Sequence, residues 1–305
     1  MNRRTFIQQL GWATALTGAH ALPLQAFAND YDLVPLTILH TNDVHSRIEP
    51  FPMDGGPFQG KGGAARRAEL IAAIRREAKN VLLLDAGDIF QGTPYFNFFG
   101  GELEMKLMSA MGYDAATMGN HDFDNGIDGF VKQLPHANFP ILNCNYIVKD
   151  SALHTHIQPH IVIKKQGVKI GVIGVGIDLN GLVPTANWKG VEYTDPVAAA
   201  NKTAAMLRHD KKCDYVICLS HLGYKYDNAK VSDVTLAQQS ENIDLILGGH
   251  THTFMPQPDI VMNQQRQPVI IHQVGWAGLA LGRIDVVFER SKNKHCATCN
   301  AIMVQ

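Results

Sequence analysis

The sequence predicts an α/β fold in which strands and helices alternate along one domain. Short apolar runs such as Val81–Asp85 lack the alternation of a half-exposed strand, which is typical of parallel strands covered on both faces. Intervening segments such as Ala64–Ala78 place apolar residues at helical spacing. Hydrophobic residues make up 46% of the 305 positions and charged residues 18%, which favours a globular chain over a disordered one.

In chain order, the first predicted strand is Leu36–His40, and a glycine- and proline-rich loop follows over residues 50–63. Ala64–Ala78 is expected to be a surface helix with one buried stripe. The aromatic residues of Thr93–Phe99 are expected to pack in the core under a loop, in preference to facing a substrate. The other predicted strands are Val81–Asp85, Tyr113–Met118, Pro140–Tyr146, His160–Lys164, Lys169–Val175, Tyr215–Leu219, Ile243–Leu247, Val269–Val274 and Gly282–Glu289, the last alternating like a solvent-faced strand. The other predicted helices are Glu102–Met111, Asn125–Leu134, Asp195–His209 and Asp233–Ser240.

Residues 1–28 have the pattern of a twin-arginine signal peptide. Asn2–Gln8 contains Arg3 and Arg4, an apolar segment follows, and Ala26-Phe27-Ala28 has the small-x-small form of a cleavage site. An amphipathic helix of the domain is the alternative. We therefore expect export through the twin-arginine route, to the periplasm or to another exported location, with residues 29–305 forming a single domain. No later run approaches the ~20 apolar residues of a membrane span, so no stable span is expected after cleavage.

Net charge and cysteine usage narrow the function classes. The formal net charge is −1, which gives no polybasic signature and does not indicate nucleic-acid binding. Among five cysteines, Cys144 and Cys218 are expected to be buried hydrophobic residues. Cys296 and Cys299 form a C-x-x-C pair for which a short disulfide and two unused thiols both remain open.

Polar residues recur where predicted strands end. The densest group is Gly119–Asp124, which holds an amide, an imidazole and carboxylates within one turn. The residues at these strand ends are Asp43, His45, Asp88, Asn120, His121, Asp124, His221, His250 and His252. Taken singly, each is more often a turn former, a helix cap or a structural histidine. Their joint occurrence favours one site at the C-terminal edge of a sheet.

The donor types suit a pair of divalent ions. A carboxylate can bridge two ions, and neutral imidazoles and oxygen donors can complete each coordination shell. Such a pair, with the ions ~3.5–4 Å apart, activates water and neutralises charge that develops on a phosphoryl group. The fourteen histidines of the chain fit this interpretation.

The blocks Asp-x-His, Gly-Asp, Gly-Asn-His-Asp, His and Gly-His-x-His, in this order, resemble those of the calcineurin-like metallophosphoesterases. Ile38–His45, Gly62–Arg66 and Asn120–Asp124 resemble the 5′-nucleotidase branch more closely, and the resemblance extends from about Leu36 to Val287. It implies a four-layer α-β-β-α sandwich. The implied reaction is hydrolysis of nucleotide phosphate esters by a metal-activated hydroxide.

The resemblance also implies individual roles. Asp43, His45, Asp88 and His252 would hold one ion, and Asp88 would bridge to a second ion completed by Asn120, His221 and His250. His121 would contact the phosphoryl group, oriented by Asp124, whereas Asp122 has no expected role beyond the turn. The ions could be Mn, Zn, Co or Mg. Some 5′-nucleotidases have an amide at the position of His252, so the histidine is expected to alter metal preference.

Full-length 5′-nucleotidases of this family carry a C-terminal domain that supplies arginines and base-clasping aromatic rings. We expect that domain to be absent after Gln305. The expected partner is a small phosphorylated substrate, a nucleotide in the first interpretation. Two alternatives remain: related activity on cyclic nucleotides, UDP-sugars or sulfur esters, and a metal-binding subunit that needs a separate base-binding chain.

Overall fold

The structure, a computed structural model, describes residues 33–149, 152–289 and 294–305. The predicted signal peptide at residues 1–28 lies outside these ranges. The strands are β1 (Leu33–Thr41), β2 (Val81–Asp85), β3 (Ala115–Thr117), β4 (Ile141–Leu142), β5 (Tyr146–Val148), β6 (Ile157–Gln158), β7 (His160–Lys165), β8 (Val168–Gly176), β9 (Val191–Tyr193), β10 (Tyr215–His221), β11 (Leu245–Gly248), β12 (Asp259–Met262), β13 (Pro268–His272), β14 (Ala280–Glu289) and β15 (Lys294–Met303). The helices are α1 (Ala64–Glu77), α2 (Pro94–Phe99), α3 (Glu102–Met111), α4 (Gly126–Gln133), α5 (Pro196–His209) and α6 (Asp233–Gln239).

Two mixed sheets contain most of these strands. The first has the order β15-β14-β1-β2-β3-β4-β6 and the second β12-β13-β11-β10-β8-β7, while β5 and β9 form a separate pair. Strands β1, β2, β3, β4 and β6 run parallel in the first sheet, as do β8, β10, β11 and β13 in the second. The C-terminal ends of these strands therefore lie along one edge of each sheet, the place where open α/β folds bind ligands.

Three hydrophobic clusters hold the layers together. Ile38 and Leu84 of the first sheet belong to the same buried cluster as Ile217 and Leu247 of the second, so the sheets pack face to face. Leu83 belongs to the cluster that contacts α1 and α3 on the outer side of the first sheet. A third cluster joins the second sheet to α5 and α6. The result is the predicted four-layer α-β-β-α arrangement.

Several local predictions agree with the structure. Strand β2 is buried on both faces, which explains why its sequence does not alternate. Helix α1 buries Ala64, Arg67, Ile71 and Ile74, a single stripe. Strands β7 and β8 pair antiparallel as predicted from Gln166-Gly167. No helix in residues 33–149, 152–289 or 294–305 has the length and apolar character that crossing a bilayer requires.

Strand β14 keeps the predicted alternation. Ile284, Val286 and Phe288 are buried, whereas Arg283, Val287 and Glu289 on the other face are half-buried, and β1 and β15 pair with its two edges. Strand β15 itself was not predicted, since its polar composition lacks a strand pattern. The alternation of Gly282–Glu289 therefore marks one buried face, and the opposite face is only partly open to solvent, since Asp285 on that face is also buried.

The aromatic segment at Thr93–Phe99 was also assigned wrongly. Pro94–Phe99 is helix α2, and only Phe96 enters the core, with 5% of its surface exposed. Phe98 is 81% exposed and Phe99 50%. Helical geometry accounts for the difference, because one short turn can direct only part of its side chains inward.

The predicted strand Pro140–Tyr146 is divided into β4 and β5. The side chain of Asn143 accepts hydrogen bonds from the amides of Asn145 (3.0 Å) and Tyr146 (2.8 Å), which stabilises a turn between the two strands. Sequence hydrophobicity alone does not reveal this turn.

The cysteines agree with their predicted environments only in part. Cys218 is buried, whereas Cys144 is half-buried. Cys299 is a buried thiol, and burial raises its pKa to about 12. The side chain of Cys296 lies outside the described residues, so the structure gives no account of the predicted C-x-x-C pair.

Candidate metal centre and catalytic site

The predicted site residues meet where the C-terminal edges of the two sheets face each other. Asp43 and His45 follow β1, Asp88 follows β2, and Asn120 and His121 follow β3. From the second sheet, His221 ends β10, and His250 and His252 follow β11. The loops after β1 and β2 continue to pair, since the amides of Asp43 and His45 donate to the carbonyls of Gly87 (2.9 Å) and Asp88 (3.1 Å).

Left-handed backbone is concentrated at this edge. The φ angles are 51° for Asp43 and for His45, 55° for Asp88, 73° for His250 and 52° for His252. Residues other than glycine adopt such angles at an energetic cost, and they occur in tight turns and cluster at functional sites. The strained loops point to a functional arrangement of these side chains.

The first cluster of potential ligands contains Asp43, His45 and His252, whose ligand atoms all lie within 4.8 Å of one another. His252 Nε2 lies 3.4 Å from Asp43 Oδ1 and 3.0 Å from His45 Nε2. The side-chain amide of Asn42 donates to Asp43 Oδ2 (2.6 Å), and this hydrogen bond fixes the orientation of the carboxylate. One carboxylate and two imidazoles therefore converge on one point.

The second cluster contains Asp88, His221 and His250, again within 4.8 Å. Asn120 Oδ1 lies 2.8 Å from His250 Nδ1, so the amide joins this cluster. Asp88 connects the clusters, because its Oδ2 lies 3.1 Å from His221 Nε2 and 3.8 Å from His45 Nε2. This is the position that a bridging carboxylate would occupy.

The ring nitrogens of His221 provide a test of whether the residues fit a metal. Its Nδ1 donates to the carbonyl of Ala86 (2.7 Å), which fixes the tautomer with Nε2 directed into the cluster. Nε2 is buried and has no hydrogen bond of normal geometry within the described part of the chain. A buried, unsatisfied imidazole nitrogen beside a carboxylate is the environment that a divalent ion completes.

The protonation equilibria follow from burial and from Asp88. Burial alone would lower the pKa of His221, but the neighbouring Asp88 carboxylate raises it to about 10. Burial lowers the pKa of His250 to about 4 and also lowers the pKa of His45. Those two imidazoles are therefore neutral at neutral pH, the form that binds metals, while metal binding at His221 would release a proton.

His121 and Asp124 form a separate pair beside the clusters. His121 Nδ1 lies 2.8 Å from Asp124 Oδ2, and this hydrogen bond raises the pKa of His121. The backbone amide of His121 donates to Asp88 Oδ1 (2.8 Å), and its ring centre lies 5.3 Å from that of His45. The imidazole is therefore oriented next to the predicted ligands without belonging to either cluster.

Asp122 has a structural role that the sequence analysis missed. Its Oδ1 accepts hydrogen bonds from the amides of Ile89 (3.0 Å) and Phe90 (3.1 Å). Its Oδ2 accepts from the amides of Asp88 (3.1 Å) and Gly119 (2.8 Å). One buried carboxylate thus ties the loop that carries Asp88 to the turn that carries Asn120 and His121. The Gly-Asn-His-Asp motif was the available signal, but the four donors become neighbours only in the fold.

A second buried network lies behind the ligands of the second sheet. Asp233 Oδ1 accepts from Ser220 Oγ (2.5 Å), and its Oδ2 accepts from Gln273 Nε2 (2.8 Å). Gln273 also donates to the carbonyl of Gly249 (3.0 Å), immediately before His250. Sequence reasoning assigned no role to Asp233 or Gln273. Gln273 directly follows β13, so a polar residue at that strand end was the one signal available.

Comparison with known proteins agrees with this geometry. The family model described as calcineurin-like phosphoesterase matches residues 36–254, more than half of the chain. The chain belongs to the calcineurin-like phosphoesterase family. Members of this family hydrolyse phosphate esters, so this phosphoesterase is an enzyme of the hydrolase class.

Similar proteins include several 5′-nucleotidases. The snake venom 5′-nucleotidase of Gloydius brevicauda is 35% identical, and the match covers 88% of this chain and 48% of the relative. The 5′-nucleotidase of Vibrio cholerae is 32% identical over 91% of this chain and 53% of its own length. The phosphoesterase chain thus spans about half the length of these curated relatives.

Two solved structures that this chain resembles are also nucleotidases, and the chain again covers about half of each. The 5′-nucleotidase precursor of Thermus thermophilus matches with a TM-score of 0.79 at 31% identity, covering 88% of this chain and 54% of that one. Haemophilus influenzae NAD nucleotidase matches with a TM-score of 0.78 at 28% identity, and the match covers 89% of this chain and 57% of that one. These matches agree with a 5′-nucleotidase-like metallophosphoesterase carrying two candidate metal clusters.

Proposed function

We propose that the protein is an exported phosphomonoesterase that uses two divalent ions to hydrolyse nucleotide phosphate esters. The observation that carries the proposal is the position of Asp88 between two clusters of ligand atoms. Asp43, His45, Asp88 and His252 would hold one ion, and Asp88, Asn120, His221 and His250 the other. Bound ions would supply activated water and neutralise charge on the phosphoryl group.

Asp124 would orient the imidazole of His121 toward the substrate, and His121 would supply a proton to the leaving group. The hydrogen bond between Asp124 and His121 Nδ1 fixes the imidazole and leaves Nε2 for a phosphoryl or leaving-group oxygen. Because this hydrogen bond raises the pKa of His121, the ring can hold a proton that the leaving group needs. Asp122 and Asp233 keep the loops in position while this happens.

The names of the relatives support a nucleotide as substrate. Several are 5′-nucleotidases, one is a NAD nucleotidase and another a trifunctional nucleotide phosphoesterase. The last two favour a second candidate, a related phosphoesterase with a wider range of nucleotide esters. Phosphate release from a panel of AMP, cyclic nucleotides, UDP-sugars and sulfur esters, each with Mn, Zn, Co and Mg, distinguishes the candidates.

Substitution of the two central residues tests the proposed chemistry. Asn120→Ala removes an oxygen ligand and His121→Ala removes the proton donor, so each should lower kcat for AMP by a factor of about 10² or more. Thermal unfolding and circular dichroism should show that both variants stay folded. Wild-type turnover in both would contradict the assignment. High AMP turnover by the isolated chain would also exclude dependence on a separate base-binding chain.

Export through the twin-arginine route is supported by the Asn2–Gln8 pattern. Replacing both arginines, with Arg3→Lys and Arg4→Lys, should block this route and keep the protein in the cytoplasmic fraction. Fractionation followed by immunoblotting measures the distribution. An unchanged periplasmic fraction would contradict the predicted route.

A further inference from the structure

A series of aromatic rings extends from the predicted metal ligand His252, whose side chain is itself 40% exposed, along the protein surface. The ring of His252 stacks on that of Trp276 at 5.7 Å with an interplanar angle of 7°. Trp276 contacts Phe51 at 5.8 Å between ring centres, Phe51 contacts Phe58 at 5.6 Å, and Phe58 stacks on Phe254 at 6.3 Å. We name Phe51, Phe58, Phe254 and Trp276 the aromatic ladder.

The ladder is accessible to solvent along its length. Phe254 is 40% exposed, and the other three rings are partly exposed. Aromatic rings that are partly accessible bind planar ligands well because they offer a large flat face. None of the roles assigned above to the metal ligands or His121 requires these rings.

The ladder is fixed relative to the metal centre. Asn42 donates to the carbonyl of Gly275 (2.6 Å), and the amide of Ala277 donates to the carbonyl of Asp43 (2.7 Å), so Trp276 lies between two anchors. Phe254 is held by a bridge to Val274. Because the same anchors support Asp43, a ligand on the ladder has a defined position relative to the ions.

We propose that the aromatic ladder binds the planar ring of the leaving group, a nucleobase or another aryl group, while the phosphate lies at the metal centre. This inference rests on the proposed phosphomonoesterase function and adds a determinant of specificity. Stacking tolerates any base because every base has a π-face. The ladder would therefore select aromatic over aliphatic esters without distinguishing one base from another.

The test compares esters that differ only in the character of the leaving group. We measure kcat/KM for AMP, 4-nitrophenyl phosphate and glycerol 3-phosphate, and AMP affinity by calorimetry, in wild type and in a Phe58→Leu, Phe254→Leu double variant. Loss of stacking should lower the selectivity for AMP over glycerol 3-phosphate about tenfold and weaken AMP binding by a similar factor. Phe98→Leu is the matched control, since Phe98 is 81% exposed on α2 and outside the ladder.

Two results would overturn the inference. One is unchanged selectivity and unchanged AMP affinity in the double variant. If the double variant changed only the oligomeric state, the ladder would be an interface between proteins, and the inference would also be overturned. The other is an equal loss in Phe98→Leu, which would not be specific to the ladder. If the wild type released phosphate from no ester, the proposed function would fail, and the comparison of AMP affinities would still decide whether the ladder binds the base.

Discussion

At the scale of single residues, the site depends on carboxylates that serve as acceptors for backbone amides. Asp122 accepts four amides from two loops and so fixes the distance between Asp88 and Asn120. Buried carboxylates are tolerated when such donors compensate them. Asp122 therefore positions residues of the candidate metal centre without being one of its predicted ligands.

Asp122→Asn should weaken metal binding about 10-fold to 100-fold, because the amide presents a donor where two backbone amides need an acceptor. Metal titration followed by calorimetry measures the affinity. Asp128→Asn, at an exposed acid of α4, is the control and should bind metal like the wild type. Wild-type affinity in Asp122→Asn would show that the four hydrogen bonds do not position the ligands.

The site residues were accessible to sequence reasoning to different degrees. His221, His250 and the other candidate ligands lie at or shortly after the ends of apolar runs, and the structure brings them together with His121 and Asp124 beside them. The role of Asp122 was not accessible, because its donors at Asp88 and Gly119 come from segments about thirty residues apart. The left-handed backbone at Asp43 could not be predicted either, since tertiary hydrogen bonds impose it.

At the scale of elements, a pair of histidines joins the two sheets in the core. His40 of β1 and His272 of β13 are both fully buried, and His40 Nε2 lies 2.8 Å from His272 Nδ1. Burial lowers the pKa of His272 to about 4 and also lowers the pKa of His40, which His272 lowers further. Both rings are therefore neutral in the folded protein near neutral pH.

This pair should make stability depend on pH. Between pH 6.5 and about 4, the unfolded chain binds protons at His272 that the folded chain excludes. The free energy of unfolding should therefore fall with decreasing pH, by up to ~1.4 kcal/mol per pH unit for each histidine. The raised pKa values of Asp85 and Asp233, each about 7, oppose this slope, so the comparison must be made between variants.

His272→Gln keeps one donor and one acceptor but removes the titrating group. Urea unfolding at pH 7.5 and 5.5 should show that the variant loses less stability than the wild type over this range. His154→Gln, at an exposed histidine, should behave like the wild type. Equal slopes in the wild type and His272→Gln would contradict the role of the buried pair.

The elements themselves were predictable where local pattern and tertiary environment agree. Strand β2 and helix α1 have patterns that match their burial, whereas β15 does not, because pairing with β14 rather than its own hydrophobicity makes it a strand. Helix α2 is the reverse case, in which a hydrophobic sequence is not fully buried. Its aromatic composition indicated burial, but Phe98 faces solvent.

At the scale of the whole molecule, the face-to-face packing of two sheets creates the site. Each sheet supplies part of both ligand clusters: Asp43 and His45 meet His252 across the interface, and Asp88 meets His221 and His250. Neither sheet could assemble a complete cluster alone. Metal binding at these candidate clusters would therefore depend on the relative position of the sheets, and bound ions should stabilise the folded state by mass action.

The metal content of the protein purified from the exported fraction tests the central claim most directly. Elemental analysis of the wild type should give about two divalent ions per chain, one for each ligand cluster, and His252→Ala should retain about one. Asp88→Asn, which alters the bridge between the clusters, should lower occupancy of both. A folded wild-type protein with one ion or none per chain after equilibration with Mn, Zn, Co or Mg would contradict the dinuclear centre.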